Sequence, residues 1–253
     1  GKKVPLTLLY KKELVNKSCL NPVYMYGYGA YGMSCDPEFA ISTLPYLDRG
    51  YIYAIAHVRG GSDKGYEWYK DGMMYNKMNT FMDFITCAEY LISTKITTKD
   101  MLAIEGSSAG GLLVASSMVL RPDLFKVVVA GVPFVDVLNT MSDPSIPLTT
   151  PEWEQWGNPN KLVDHVYMKQ YSPYDNIQKT DYPCTLFLSG LNDPRVQYWE
   201  PTKLIAKLRD NCTDGNVHLL KTEMSSGHFG DSNRFKNLKE YAFTAAFVFK
   251  HIK

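Results

Sequence analysis

The chain has 253 residues, 45% hydrophobic and 21% charged, which is enough for one large core and too apolar for a disordered, collagen-like or coiled-coil chain. Lys plus Arg number 27 and Asp plus Glu 26, so the net charge of +1 offers no broad basic field for nucleic acid or an anionic membrane. The longest apolar runs, such as Val127 to Val135, fall well short of the roughly 20 residues that cross a bilayer.

Strand-length apolar runs and helix-length amphipathic segments alternate along the chain. Pro5 to Tyr10 and Val23 to Tyr26 read as strands, and the second runs into Tyr26-Gly-Tyr28-Gly-Ala-Tyr-Gly32. Gly27, Gly29 and Gly32 match the dinucleotide fingerprint, but Asp36-Pro37 interrupts the helix that a pyrophosphate would require, so that reading is rejected. Tyr51 to Val58 is the next strand, and Thr80 to Ser93 carries a helical stripe at Phe81, Phe84, Ile85, Ala88 and Leu91. Met101 to Glu105 then reads as strand, Gly106-Ser107-Ser108-Ala109-Gly110 as a sharp turn, and Gly111 to Leu120 as helix. That is the strand–turn–helix setting of a GxSxG motif, with Ser108 as candidate nucleophile and the following helix pointing its N–H groups at the site.

Lys126 to Ala130 is a further strand, after which Val135 to Pro173, holding four interior prolines, Trp153 and Trp156, breaks the rhythm and reads as an insertion beside the sheet. Such loops on a rigid scaffold usually carry specificity. Cys184 to Ser189 is a strand followed by Gly190-Leu-Asn-Asp193-Pro-Arg195, and Val217 to Thr222 is a strand followed by Ser225-Ser-Gly-His228-Phe-Gly. Pro201 to Arg209 and Phe235 to His251 supply helices. Strands alternating with helices imply a mostly parallel sheet covered on both faces.

A serine, then an acid, then a histidine, each just past a strand end, is the chain order of an α/β hydrolase. Asp193 and His228 fill the two later places, although alone Asp193 reads more readily as a turn-former before Pro194 and His228 as a loop residue beside two glycines. His57 ends a strand before the serine, and His165, His218 and His251 fall in helical or strand patterns that suit structural roles. The loop holding Tyr28 occupies the place that contributes to an oxyanion hole, where a tyrosine hydroxyl could assist the backbone N–H of Ala109. The five cysteines lack metal-ligand spacing and read as reduced thiols of a cytoplasmic protein, and no secretory leader is legible in the opening GKKVPLTLLY.

The motifs YGYGAYG, LDRGYIYAIAHVRGG, KMNTFMDF, GSSAGG, TTPEWEQWGNP, YSPYDNI, SGLNDPRVQYWEP and SGHFG together resemble the prolyl oligopeptidase family of serine peptidases, and most closely its branch that cleaves after basic residues. The resemblance implies an α/β-hydrolase fold over residues 1–253 and a triad of Ser108, Asp193 and His228. It also implies an oxyanion hole from Tyr28 and Ala109, and Arg195 on the substrate backbone. It implies that Glu152 and Glu154 receive a Lys or Arg side chain, and that Asp36 and Glu38 form a second acidic patch for a basic residue one position earlier. Read from residues alone, Thr149 with Glu152 is equally a helix capping box and Asp36 with Glu38 a solvated turn. The expected substrates are short peptides with Lys or Arg at the cleaved position, with no metal or organic cofactor. Family members carry a β-propeller domain that these residues do not include. A proline-specific peptidase or esterase with the same triad, and a non-catalytic binding module, are the alternatives.

Overall fold

The structure, a computed structural model, describes residues 1–15, 20–230 and 234–252. Seven strands form one sheet: β1 (Leu6–Leu9), β2 (Val23–Tyr26), β3 (Ile52–Ala56), β4 (Leu102–Ser107), β5 (Val127–Gly131), β6 (Cys184–Gly190) and β7 (His218–Glu223). Their spatial order is β1-β3-β2-β4-β5-β6-β7. Among the described residues only β1 runs antiparallel to its neighbour, pairing Leu6 with Ala56, and the other ladders between these strands are parallel. Among the described residues six α-helices are short: α1 (Leu44–Leu47), α2 (Tyr66–Lys70), α5 (Val137–Ser142), α6 (Trp153–Trp156), α7 (Leu162–Lys169) and α8 (Pro173–Asn176). The longer ones are α3 (Met78–Ser93), α4 (Ala109–Leu120), α9 (Trp199–Asn211) and α10 (Arg234–His251).

The period-two alternation of the strands splits the core into two layers. Leu102 and Ile104 of β4 and Val128 and Ala130 of β5 face Phe81, Phe84 and Leu91 of α3, the apolar residues of α4, and Leu204 and Leu208 of α9. Ala103, Val127 and Val129, one residue out of step, face Tyr46 of α1 and Ala245, Phe247 and Val248 of α10. Helix α4 is buried on every side from Ala109 to Met118, which explains why its apolar residues show no single stripe. This is the α/β-hydrolase arrangement expected from the sequence, a mostly parallel sheet covered on both faces. The predicted elements are all present with ends shifted by at most two residues, while the short helices α1 and α2 carry too few residues for a periodic signal.

The irregular stretch after β5 folds into α5, α6 and α7, and its Thr140, Met141 and Glu152 share a cavity with Ser107 and Ser108 at the carboxyl end of β4. Buried Glu200 on α9 anchors its start: its carboxylate accepts the backbone N–H groups of Val135 and Asp136 and the hydroxyl of Thr140, at 2.8, 2.9 and 2.8 Å. Cys35, Cys87, Cys184 and Cys212 are free thiols, and Cys19 lies outside the described residues. Among the described residues no helix is long and apolar enough to cross a membrane.

Candidate active site

Tyr28, Ser108, Asp193 and His228 follow β2, β4, β6 and β7, at the carboxyl edge where open parallel sheets place their sites. Ser108 has φ 56° and ψ −116°, a left-handed elbow between strand and helix that a non-glycine residue adopts only under constraint. Two glycines permit the turn. A Cβ on Gly106 would stand 2.1 Å from the carbonyl oxygen of Gly110, and one on Gly110 would stand 2.8 Å from that of Gly27. The amide of Ser108 donates to Gly131 O at 2.8 Å and its carbonyl accepts from Phe134 N at 3.2 Å, which clamps the elbow on both sides. Ala109 is the first residue of α4, where N–H groups have no acceptor within the helix.

Asp193 is buried. Its Oδ1 accepts the amides of Arg195 and Val196 at 2.8 and 3.0 Å, and its Oδ2 lies 2.7 Å from Nδ1 of His228. Because an ionised carboxylate only accepts, Nδ1 carries the proton and Nε2 is left as the basic nitrogen. His57 is fixed elsewhere, its ring nitrogens meeting Asp63 Oδ1 and Thr7 Oγ1 at 2.8 Å each.

A cavity of about 560 Å³ opens beside this pair and brings together Ser108, His228, Tyr28, Arg195 and Glu152, with Met33, Val132, Phe134 and Met141 among its apolar walls. Burial pushes the Tyr28 phenol up, with Glu152 adding to the shift and Arg195 and Ser108 opposing it, so the hydroxyl stays protonated and able to donate. The Arg195 guanidinium stacks 4.7 Å from the centroid of Phe229. Glu152 Oε2 accepts from Tyr31 Oη at 2.8 Å and from Trp156 Nε1 at 2.7 Å. The capping-box reading is not realised: the Thr149 hydroxyl donates to Thr140 O at 2.8 Å, and no side chain caps α6. Glu154, in the first turn of α6, is exposed and outside the cavity wall, where its charge is felt by Tyr69 instead. Asp36 and Glu38 line a neighbouring cavity of about 410 Å³ that shares Tyr28 and Met33 with the first. Asp63 Oδ1 holds that acidic loop through the Cys35 amide at 3.0 Å.

Sequence reasoning missed three residues. Tyr31 and Trp156 fix Glu152, and a tyrosine inside YGYGAYG was the available signal for the first. Lys77 is buried beneath the Tyr28 loop, where Nζ donates to Gly29 O at 2.5 Å and Gly72 O at 3.2 Å and lies 5.0 Å from the Trp156 ring centroid. Burial pulls its pKa down to about 7.

With this geometry in place, residues 37–253 match the Prolyl oligopeptidase family. The chain belongs to that family. It is 50% identical to "Protease 2" of Moraxella lacunata over 98% of this chain and 36% of that protein. Among solved structures, oligopeptidase B from Leishmania major superposes with a TM-score of 0.98 at 54% identity, covering 99% of this chain and 35% of that one. Oligopeptidase B from Trypanosoma brucei with covalently bound antipain, in its closed form, gives 0.98 at 55% identity, over 100% of this chain and 36% of that one. The chain thus spans about a third of the length of these prolyl oligopeptidase relatives, and the fold described above is that of the family's hydrolase part.

Proposed function

We propose that the chain is the catalytic domain of a serine peptidase that cleaves short peptides on the carboxyl side of Lys or Arg through an acyl-enzyme on Ser108. The observation that carries this reading is one cavity walled by a serine on a strained elbow, a histidine already paired with a buried aspartate, and a glutamate held by two donors. A β-propeller in the remainder of a full-length protein, and a cytoplasmic location, go with the reading.

In the proposed reaction Ser108 Oγ attacks the scissile carbonyl carbon as Nε2 of His228 takes its proton. Asp193 holds the imidazole in the Nδ1–H tautomer and stabilises the imidazolium that forms. The developing oxyanion is received by the Ala109 N–H and the Tyr28 hydroxyl. His228 then returns the proton to the leaving amine as the carbon–nitrogen bond breaks, and water, deprotonated by the same Nε2, releases the acid from Ser108. No metal or organic cofactor enters any of these steps.

Specificity rests first on Glu152. Two donors occupy Oε2, and among the described residues none reaches Oε1, which leaves that oxygen for a guanidinium or ammonium. The apolar walls suit the methylene stem of the same side chain. Arg195 is assigned to the substrate backbone, and Asp36 and Glu38 to a basic residue one position earlier. Glu154 is assigned a weaker, longer-range share because it stands outside the cavity. A fluorophosphonate probe tests the nucleophile: labelling of the wild-type chain that vanishes in Ser108→Ala supports the assignment, and labelling that persists overturns it.

A further inference from the structure

Lys77 stands at the start of α3 with its side chain turned inward, where the residue is 1% exposed. Among the described residues no charged group offsets that burial, which alone pulls its pKa down to about 7. A buried amine without a counter-ion lowers stability, and residues that a fold keeps at such a cost cluster at functional sites.

Three loops meet at the end of this side chain: the one after β2 at Gly29, the one after β3 at Gly60, and the one after α2 at Gly72. A Cβ on Gly60 would stand 2.1 Å from Gly29 O, and one on Gly72 would stand 2.2 Å from Gly60 N, so the three backbones touch with no side chain between them. Lys77 Nζ donates to Gly29 O at 2.5 Å and to Gly72 O at 3.2 Å, and Thr80 Oγ1 adds a second donor to Gly72 O at 3.2 Å. Among the described residues Lys77 is the one donor to the carbonyl of Gly29, a buried residue. An ammonium has three N–H bonds and a neutral amine two, so both carbonyls keep their donor in either state.

Gly29 lies between the two tyrosines that the site uses. Tyr28 precedes it, with its hydroxyl beside Ser108, and Tyr31 follows two residues on, donating to Glu152 Oε2 at 2.8 Å. Gly29 has φ 74° and Tyr31 φ 58°, so the turn is a left-handed one at both places and the direction of the Gly29 carbonyl fixes how it runs. The same Nζ lies 5.0 Å from the ring centroid of Trp156, whose Nε1 is the other donor to Glu152 Oε2, at 2.7 Å. Tyr31 and Trp156 also meet edge to face, with centroids 5.7 Å apart.

We propose that Lys77 is a positioning residue of the peptidase reaction, whose Nζ, bound to the Gly29 carbonyl and set against Trp156, holds the oxyanion donor Tyr28 and the specificity carboxylate Glu152 as one preformed unit. The inference rests on the roles proposed above for Tyr28 and Glu152 and adds the buried group that couples them. Lys77 touches neither substrate nor reacting atoms, so its effect passes through those two side chains.

The test is a pair of double-mutant cycles on the hydrolysis of matched arginyl and alanyl amides. Lys77→Met keeps an unbranched stem and removes the donors, whereas Lys77→Gln keeps an amide donor. Lys77→Met is expected to lower kcat for the arginyl amide by about 10- to 100-fold and the preference for Arg over Ala by about tenfold, with Lys77→Gln recovering part of each. In a Tyr28→Phe background the same substitution is expected to lower kcat by no more than about threefold further, and in Glu152→Gln to change the preference by no more than about threefold, because the residue it acts through is already lost. Urea unfolding checks that the variants are folded, and Lys77→Gln carries both cycles if Lys77→Met is not. A merely structural role would scale every background and both substrates alike. Equal factors in the variant and wild-type backgrounds, or a Lys77→Met enzyme as fast and as selective as wild type, overturn the proposal. Turnover that survives in Ser108→Ala overturns the peptidase reading itself, and this inference with it.

Discussion

The carboxylate of Asp193 divides its two oxygens between its own loop and His228, Oδ1 taking the amides of Arg195 and Val196 and Oδ2 lying 2.7 Å from Nδ1 of the imidazole. The loop bonds fix the carboxylate before any substrate arrives, so the histidine is oriented in advance. Asp193→Asn keeps the shape but lets the ring adopt the other tautomer. Hydrolysis of an arginyl amide by this variant is expected to show kcat lower by about 10⁴-fold. A loss of less than tenfold would remove Asp193 from the mechanism.

In the proposed reaction Tyr28 donates to the substrate only when negative charge develops there. Tyr28→Phe is therefore expected to lower kcat by about 100- to 1,000-fold and leave KM within a few-fold. Steady-state kinetics separate the two; a change confined to KM would make Tyr28 a ground-state contact.

Glu152 and Glu154 stand two residues apart but in different surroundings. Glu152→Gln is expected to cut the preference for Arg over Ala at the cleaved position by about 100-fold, since a charge-assisted pair inside the cavity is lost. Glu154→Gln is expected to change it by no more than about threefold, as for an exposed charge. Tyr31→Phe removes one donor to Glu152 Oε2 and should fall between them. Ratios of kcat/KM for matched substrates read all three.

Glu200 gives the fold a pH dependence. Burial pushes its carboxyl from 4.5 up to about 7, outweighing the three donors that pull it down. A folded-state pKa above the unfolded one means that the native protein binds the extra proton, so the associated stability is complete below about pH 4.5 and is lost as pH rises towards 7. Wild type is expected to lose ~3 kcal/mol more than Glu200→Gln between pH 4.5 and 8 in urea unfolding. Parallel pH profiles for the two proteins would contradict this.

The sheet was legible because its strands and helices carry their own signals: β5 is a continuous apolar run, β4 opens on Leu-Ala-Ile and ends in a Gly-Ser turn, and α3 has a clear stripe. Ser108, Asp193 and His228 were legible for the same reason, each being tied to the end of a recognisable strand. What surrounds Glu152 was not. Tyr31 reaches it from 121 residues away, through a loop in which Tyr31 itself has a φ of 58°, and neither the contact nor the conformation has a local signature. Lys77 reads as a surface lysine in any composition-based view and is buried only because two backbone carbonyls, Gly29 O and Gly72 O, converge on it. The separation of Glu152 from Glu154 likewise depends on where the short α6 begins, since Glu152 precedes the helix, Glu154 lies in its first turn, and positions two apart on a helix do not share a face.

The central claim is tested most directly by hydrolysis of matched dipeptide amides bearing Arg, Ala or Pro at the cleaved position, with this chain and its Ser108→Ala variant side by side. The account predicts turnover of the Arg substrate well above the other two and none in the variant. Equal turnover of all three substrates, or turnover that survives in Ser108→Ala, would contradict it.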